Sequence, residues 1–252
     1  MFERIRSATS RRLNAARRWI VALRQGRLPS PPVSHVDFGD LRRLSPIGPM
    51  YGWERGDPVD RYYIENFLDG HRELIRGRVL EISEDTYTRK FGGEKVQKID
   101  VLHLNDPTPP VTILADLSDA PHIPSETFDC IIITQTLMVI YDFAKVVGTL
   151  HRILKPGGTV LATTAGLTQI ADPEWRTTWY WGFTEASATR MFEDVFGEGQ
   201  VEVATYGNVL STIAFLHGIS KDELRPAELD HIDPEYQMLI AVAARKAGGG
   251  AV

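Results

Sequence analysis

FDCIIITQT, residues 128–136, decides the fold. A strand with one wet face alternates apolar and polar residues, whereas a strand covered on both faces is apolar throughout. Cys130 to Ile133 are unbroken apolar residues, so this segment predicts a central strand flanked by helices on either side. Outward from it, GRVLEIS (77–83), KVQKIDVL (95–102) and VTILAD (111–116) read as strands on the N-terminal side. GTVLATTA (158–165), VEVATYG (201–207) and YQMLIAVAARK (236–246) read as strands on the C-terminal side. Helical periodicity appears between them. Residues 142–154 carry Phe143, Val146, Val147, Leu150, Ile153 and Leu154 on one face, with Asp142 as the expected cap and Pro156-Gly157-Gly158 as the stop. Thr184 is expected to cap a helix running to Phe196, and Ser220-x-x-Glu223 is a capping box before a short helix. Residues 58–75 form a helix opened by Pro58. Pro107, Pro109 and Pro110 forbid a helix between the second and third strands. Alternating strands and helices of this kind predict an α/β fold with a seven-stranded, mostly parallel sheet. Ligands in such sheets bind at the carboxyl ends of the strands, which draws attention to 81–85, Asp100, Asp116 and 134–136.

Composition narrows the classes. The 252 residues are 43% hydrophobic and 24% charged, enough for a large core without cross-links. One cysteine, Cys130, excludes a disulfide scaffold, and no apolar run has the length of a membrane span. The net charge of −5 is unevenly spread. Residues 1–43 hold ten arginines and three acids, net +7; the rest holds 18 basic and 30 acidic residues, net −12. Residues 1–27 read as a basic amphipathic helix, a surface for acidic lipid or a partner protein. Residues 28–57 read as a Pro/Gly-rich linker or wrapping loop, 58–246 as the domain, and 247–252 as a flexible tail. The residues read as neither a cleaved secretory signal nor a spanning segment, so a cytoplasmic protein is expected, with membrane association open through the arm. A −12 body repels phosphates and makes nucleic acid an unfavoured partner.

An ordered set of motifs runs through the domain. Arg78-Val-Leu-Glu81 ends the first strand, Asp100 is expected to end the second, and Ala115-Asp116-Leu117 ends the third. Ile123-Pro124 precedes Phe128-Asp129, and His151-Arg-Ile-Leu-Lys-Pro-Gly-Gly158 turns into the fifth strand. Over about residues 60–246 this set resembles the class I S-adenosylmethionine-dependent methyltransferases. The resemblance implies a Rossmann-like sheet with helices on both faces and the last strand antiparallel, and S-adenosylmethionine as cofactor. It implies that Asp100, with Val101 beside it, binds the ribose hydroxyls, and that Asp116 and Leu117 bind the adenine. It implies that Glu81 orders the first loop, which Ser83 and Asp85 carry past the cofactor, and that Gln135 lies against it. The departure is that first loop: Glu81-Ile-Ser83-Glu-Asp85-Thr-Tyr87 has no glycine, where glycine admits positive φ and close approach. Ser83 is small enough for the closest approach, and Asp85 tolerates a left-handed backbone. Glu84 and Asp85 also add negative charge, so a loop that blocks the cofactor would indicate a non-catalytic scaffold in a glycan-assembly complex. A nicotinamide oxidoreductase is disfavoured by the absence of G-x-G-x-x-G.

RGDPVDRYYIENFL (55–68), the glycine-less loop, DCIIITQTL (129–137) and TWYWGFT (178–184) resemble a bacterial methyltransferase-type group that accompanies glycan-assembling enzymes. That implies a sugar or glycoconjugate hydroxyl, or another small molecule, as acceptor. Thr136, Tyr141, Trp179, Trp181, Tyr62 and Arg61 are the acceptor-pocket candidates, since aromatic rings stack on sugars as well as filling cores. No general base stands out. The seven histidines lack zinc-site spacing, so no metal is expected. His103 is a candidate to face the adenosine, His151 reads as structural, and Cys130 reads as core.

Overall fold

The computed structural model describes residues 31–248. The expected basic helix at 1–27 and the last four residues of the tail lie outside the described residues. Residues 31–44 belong to one unit and 45–248 to another. Within the first, a 3-10 turn spans Gly39–Leu41 and the Arg42 guanidinium sits 5.0 Å from the Phe38 ring centre.

The second unit is a seven-stranded sheet: β1 (Gly77–Ile82), β2 (Val96–His103), β3 (Ile113–Leu114), β4 (Phe128–Thr134), β5 (Leu154–Ala165), β6 (Val201–Tyr206) and β7 (Leu239–Arg245). Their order is β3-β2-β1-β4-β5-β7-β6, with β7 antiparallel to both neighbours and the other pairs parallel. The expected fold class holds. β4 alternates as its composition demands: Ile131 and Ile133 enter one core, Cys130 and Ile132 the other, all fully buried. Burial pushes the Cys130 thiol far up, in keeping with a core role.

Helices α2 (Phe143–Ile153) and α3 (Glu185–Phe196) cover the first face through Val146, Val147, Leu150, Ile153, Met191 and Phe192. Helices α1 (Val59–Gly70), α4 (Val209–Leu216) and the short α5 (Pro226–Asp230) cover the second. Thr184 caps α3 as expected, accepting from the Ser187 amide. Asp142 does not cap α2; its carboxylate is drawn instead to Lys145, 2.7 Å away. The capping box at Ser220 is present but serves a 3-10 turn, Lys221–Glu223. Helix α4 has no strong helical pattern in sequence because its face is apolar nearly all round; Asn208 opens it by accepting from the Leu210 and Ser211 amides.

Residues 45–57, within the stretch read as a linker or wrapping loop, pack on the body. Ile47 and Gly48 both donate to the His217 carbonyl at 2.9 Å, and Tyr51 is buried. No helix connects β2 to β3, as the prolines required, and β3 shrinks to two residues. The motif residue Asp129 ties the amino ends of three strands together. It accepts from the Arg78 amide (2.8 Å) and from Lys155 Nζ (2.7 Å). Gly77 has φ +67°, and a Cβ there would lie 2.5 Å from Asp129 Oδ2, so glycine is required. Among the described residues, no helix is long and apolar enough to cross a membrane.

Candidate active site

The carboxyl ends of β1, β2, β3 and β4 open onto a cleft of about 380 Å³. Its walls include Ser83 after β1, His103 and Leu104 at the end of β2, Asp116 and Leu117 after β3, and Thr136, Ile140 and Tyr141 after β4. The geometry of the first loop answers the absence of glycine. Ser83 itself takes the left-handed conformation, φ +73°, and its amide donates to Leu102 O at 2.8 Å. Asp85 does not take it: its backbone is ordinary and its carboxylate pairs with Arg89 at 2.6 Å. Glu84 accepts from the Thr86 hydroxyl at 2.8 Å. Neither acid is among the residues lining the cleft, so the loop leaves it open.

Glu81, in β1 two residues before Ser83, is almost wholly buried. Its two oxygens accept from the amides of Tyr87 (3.1 Å) and Thr88 (2.7 Å), holding the loop that follows. Burial dominates and raises its pKa from 4.5 to about 7, against the opposing effect of those hydrogen bonds. Asp116 accepts from the Ser118 amide (2.8 Å) and hydroxyl (2.7 Å), a local turn that fixes its carboxylate at the rim of the cleft.

Asp100 and Val101 are not where the sequence suggested. β2 runs on to His103, so Asp100 sits in mid-strand opposite Leu80, buried, and neither residue lines the cleft. Burial opposes ionisation of Asp100, but Arg78 and Lys98 outweigh it and hold its carboxyl below the usual range. The strand end is occupied by His103, whose Nδ1 accepts from the Asp106 amide at 2.9 Å.

A second, smaller cavity of about 170 Å³ lies beside the cleft, and Val139 lines both. It is walled by Tyr51, Trp53, Trp175, Trp179 and Phe215, with Asp60, Arg61 and Gln135 as its polar residues. Gln135, carried just beyond β4 with φ +46°, donates through Nε2 to Asp60 Oδ2 at 3.2 Å. The aromatic loop is pinned over the end of β4 because the Tyr180 and Trp181 amides both donate to Met138 O. Thus Arg61, Gln135 and Trp179 enter the aromatic cavity, and Thr136 and Tyr141 enter the cleft. Trp181 and Tyr62 line neither. Trp181 spends its Nε1 on the carbonyls of Ile140 and Tyr141, and Tyr62 bonds Asp230. Sequence reasoning missed Asp60, Tyr51, Trp53 and Phe215, which become neighbours only when the segment at 45–57, α1 and α4 close over the sheet. Among the described residues, no cluster of histidine, cysteine or acids is placed to hold a metal ion.

Residues 76–162 match the family model described as a methyltransferase domain. No curated protein matches the chain by sequence. In structure, the chain is similar to an S-adenosylmethionine-dependent methyltransferase from Archaeoglobus fulgidus. Identity is 13% and the TM-score 0.52, over 74% of this chain and 94% of that one. It is also similar to one from Mesorhizobium loti (17%, TM-score 0.49, 74% and 99%). A third is the 1,6-didemethyltoxoflavin-N1-methyltransferase of Burkholderia thailandensis with S-adenosylhomocysteine bound (15%, TM-score 0.48, 77% and 80%). Residues 76–162 thus match a methyltransferase domain, and the sheet around them has the fold of the Archaeoglobus methyltransferase.

Proposed function

We propose that the chain transfers the methyl group of S-adenosylmethionine to a hydroxyl of a sugar or glycoconjugate. The observation that carries the reading is the pair of cavities meeting at Val139. The open cleft at the strand ends suits an adenosine, and the aromatic cavity beside it suits an acceptor ring. The donor set fits the cofactor. Ser83 supplies the close backbone approach that glycine supplies elsewhere, Ile82, Leu117 and Ile140 offer apolar surface for the adenine, and Asp116 offers a carboxylate at the rim. His103 stands where a ribose acid was expected, so ribose recognition falls to the end of β2 rather than to Asp100. When bound, the cofactor supplies an electrophilic methyl on a sulfonium. The protein's part is to align the acceptor and exclude water. The five rings of the smaller cavity present flat apolar faces that pack on the C–H faces of a pyranose. The eight arginines of residues 1–27 support a peripheral contact with an acidic lipid or protein surface.

Calorimetry tests the reading. The folded chain is expected to bind S-adenosylmethionine and S-adenosylhomocysteine with dissociation constants below about 100 μM. No heat at millimolar ligand would overturn it. Release of S-adenosylhomocysteine on addition of simple glycosides, and not of amines or catechols, would support the hydroxyl acceptor.

A further inference from the structure

The aromatic cavity holds a polar pair left incomplete by the protein. Asp60, the second residue of α1, is 7% exposed and has no ion-pair partner among the described residues. One of its oxygens accepts from Gln135; the other, Oδ1, is buried without any partner. Gln135 Oε1 is likewise buried and unpartnered. Buried polar atoms are nearly always paired, because leaving them unpaired forfeits their hydration. Two orphan acceptors side by side, in a cavity whose other walls are five rings, Val139 and Arg61, suit a ligand that brings donors on an apolar frame. Arg61, the nearest cation on the same helix, is turned elsewhere. It donates to the Tyr87 hydroxyl at 3.1 Å and sits 5.4 Å from the Trp53 ring centre. Gln135 holds a left-handed backbone, an uncommon state for a side chain of its size, while its amide donates to Thr163 O at 2.8 Å. The arrangement keeps its amide group aimed at Asp60.

We infer that Asp60 is the catalytic base of this enzyme, receiving the proton of the acceptor hydroxyl, with Gln135 orienting both; this rests on the methyl-transfer reading above. In the step, the acceptor oxygen forms a bond to the methyl carbon and the methyl–sulfur bond breaks. Its electron pair returns to sulfur, which becomes a neutral thioether, and the hydroxyl proton passes to the Asp60 carboxylate. The proton leaves to solvent after product release, and no further reactant is needed. Burial raises the Asp60 pKa, with Arg61 opposing. Tyr51 from the preceding loop and Tyr87 from the turn after β1 also face it, both held neutral by pKa values raised above the ordinary tyrosine range. A base whose pKa is raised by burial is better matched to a hydroxyl proton than an exposed carboxylate. The two orphan acceptors and the ring walls fit a polyol ring with at least two adjacent hydroxyl donors.

The test uses the full chain, wild type and Asp60→Asn, with p-nitrophenyl glycosides of glucose, mannose, galactose and rhamnose as probes. Both proteins are expected to bind S-adenosylhomocysteine within about threefold of each other, which also reports folding. With that product bound, calorimetry should show the best glycoside binding to Asp60→Asn about tenfold more weakly. With S-adenosylmethionine, methyl transfer should fall about 100-fold or more. Gln135→Glu, which sets a second carboxylate beside Asp60, should move the acid limb of the pH–rate profile upward, a change a purely structural role would not produce. Equal glycoside binding and equal turnover in Asp60→Asn would overturn the inference. So would wild type that binds S-adenosylhomocysteine but none of the glycosides, or that binds one without turning it over. Failure of wild type to bind S-adenosylhomocysteine would instead overturn the methyl-transfer reading itself.

Discussion

Arg78 and Asp100 face each other diagonally across β1 and β2, Nε to Oδ2 at 2.6 Å, in the half of the sheet away from the cleft. The Asp100 carboxylate is buried and the guanidinium covers it, also lying 5.2 Å from the Phe128 ring centre. We propose that the pair is structural. Asp100→Asn should cost about 1–3 kcal/mol, because Arg78 is left partly buried without its counter-charge. Affinity for S-adenosylhomocysteine should stay within about threefold. Urea denaturation and calorimetry on the same samples check both halves. Unchanged stability with lost binding would return Asp100 to the cofactor site.

Ser83 bears a conformation that costs an L-residue roughly 1 kcal/mol. Ser83→Gly should be neutral or stabilising by up to about 1 kcal/mol, since relief of strain is partly offset by the greater freedom of glycine when unfolded. Ser83→Val should destabilise by about 2 kcal/mol and weaken cofactor binding at least tenfold, as a branched side chain meets both the left-handed backbone and the cleft. Thermal melts with and without S-adenosylhomocysteine separate the two effects. A tolerated valine would show that the loop does not approach the cofactor.

Glu81 makes stability depend on pH in a defined direction. Its folded pKa, about 7, lies above the ordinary 4.5, so the folded state holds a proton that the unfolded chain has released. Its contribution is greatest below about pH 4.5, declines as pH rises to about 7, and is constant above, a span of about 3 kcal/mol. Glu81→Gln should flatten this decline. Denaturation at pH 5.5 and 8 in both proteins measures it, and an equal slope in the variant would assign the pH dependence to other groups.

Gly77 offers the sharpest test of the strand-anchoring network. Gly77→Ala meets an unfavourable φ and the Asp129 carboxylate, which is itself held by the Arg78 amide and Lys155. A loss of about 2–4 kcal/mol is expected. Asp129→Ala should partly relieve it in the double variant, so additive losses would locate the strain elsewhere.

What was legible in the sequence follows from how local each signal is. The apolar run at 130–133 and the helical face at 143–153 fixed sheet and layers, because periodicity depends only on near neighbours. Phe128-Asp129 and Lys155-Pro-Gly-Gly158 were also readable, though they proved to brace the amino ends of strands, opposite the ligand side. Asp100 misled because a strand's last residue cannot be read to within three positions when Val101 and Leu102 are as apolar as what precedes them. Ser83 was recognised as small, but its positive φ could not be assigned over that of Asp85, whose residue type favours it more. Asp60 was illegible. Alone it is an ordinary first-turn acid of a helix, and its meaning comes from Gln135, seventy-five positions away.

The two cavities draw on different stretches of chain. The cleft is built largely from residues 82–142, whereas the aromatic cavity takes Tyr51, Trp53, Asp60, Arg61, Trp175, Trp179 and Phe215 from outside the matched domain and only Gln135 and Val139 from within it. On the proposed reading, the machinery for the shared reagent and the machinery for choosing a substrate can therefore change at separate rates. Replacing the rings at 51, 53, 175 and 179 would redirect the enzyme to a new molecule while leaving the reagent half as it was. Descent would then be recorded in the sheet, and chemical vocation in the loops that close over it.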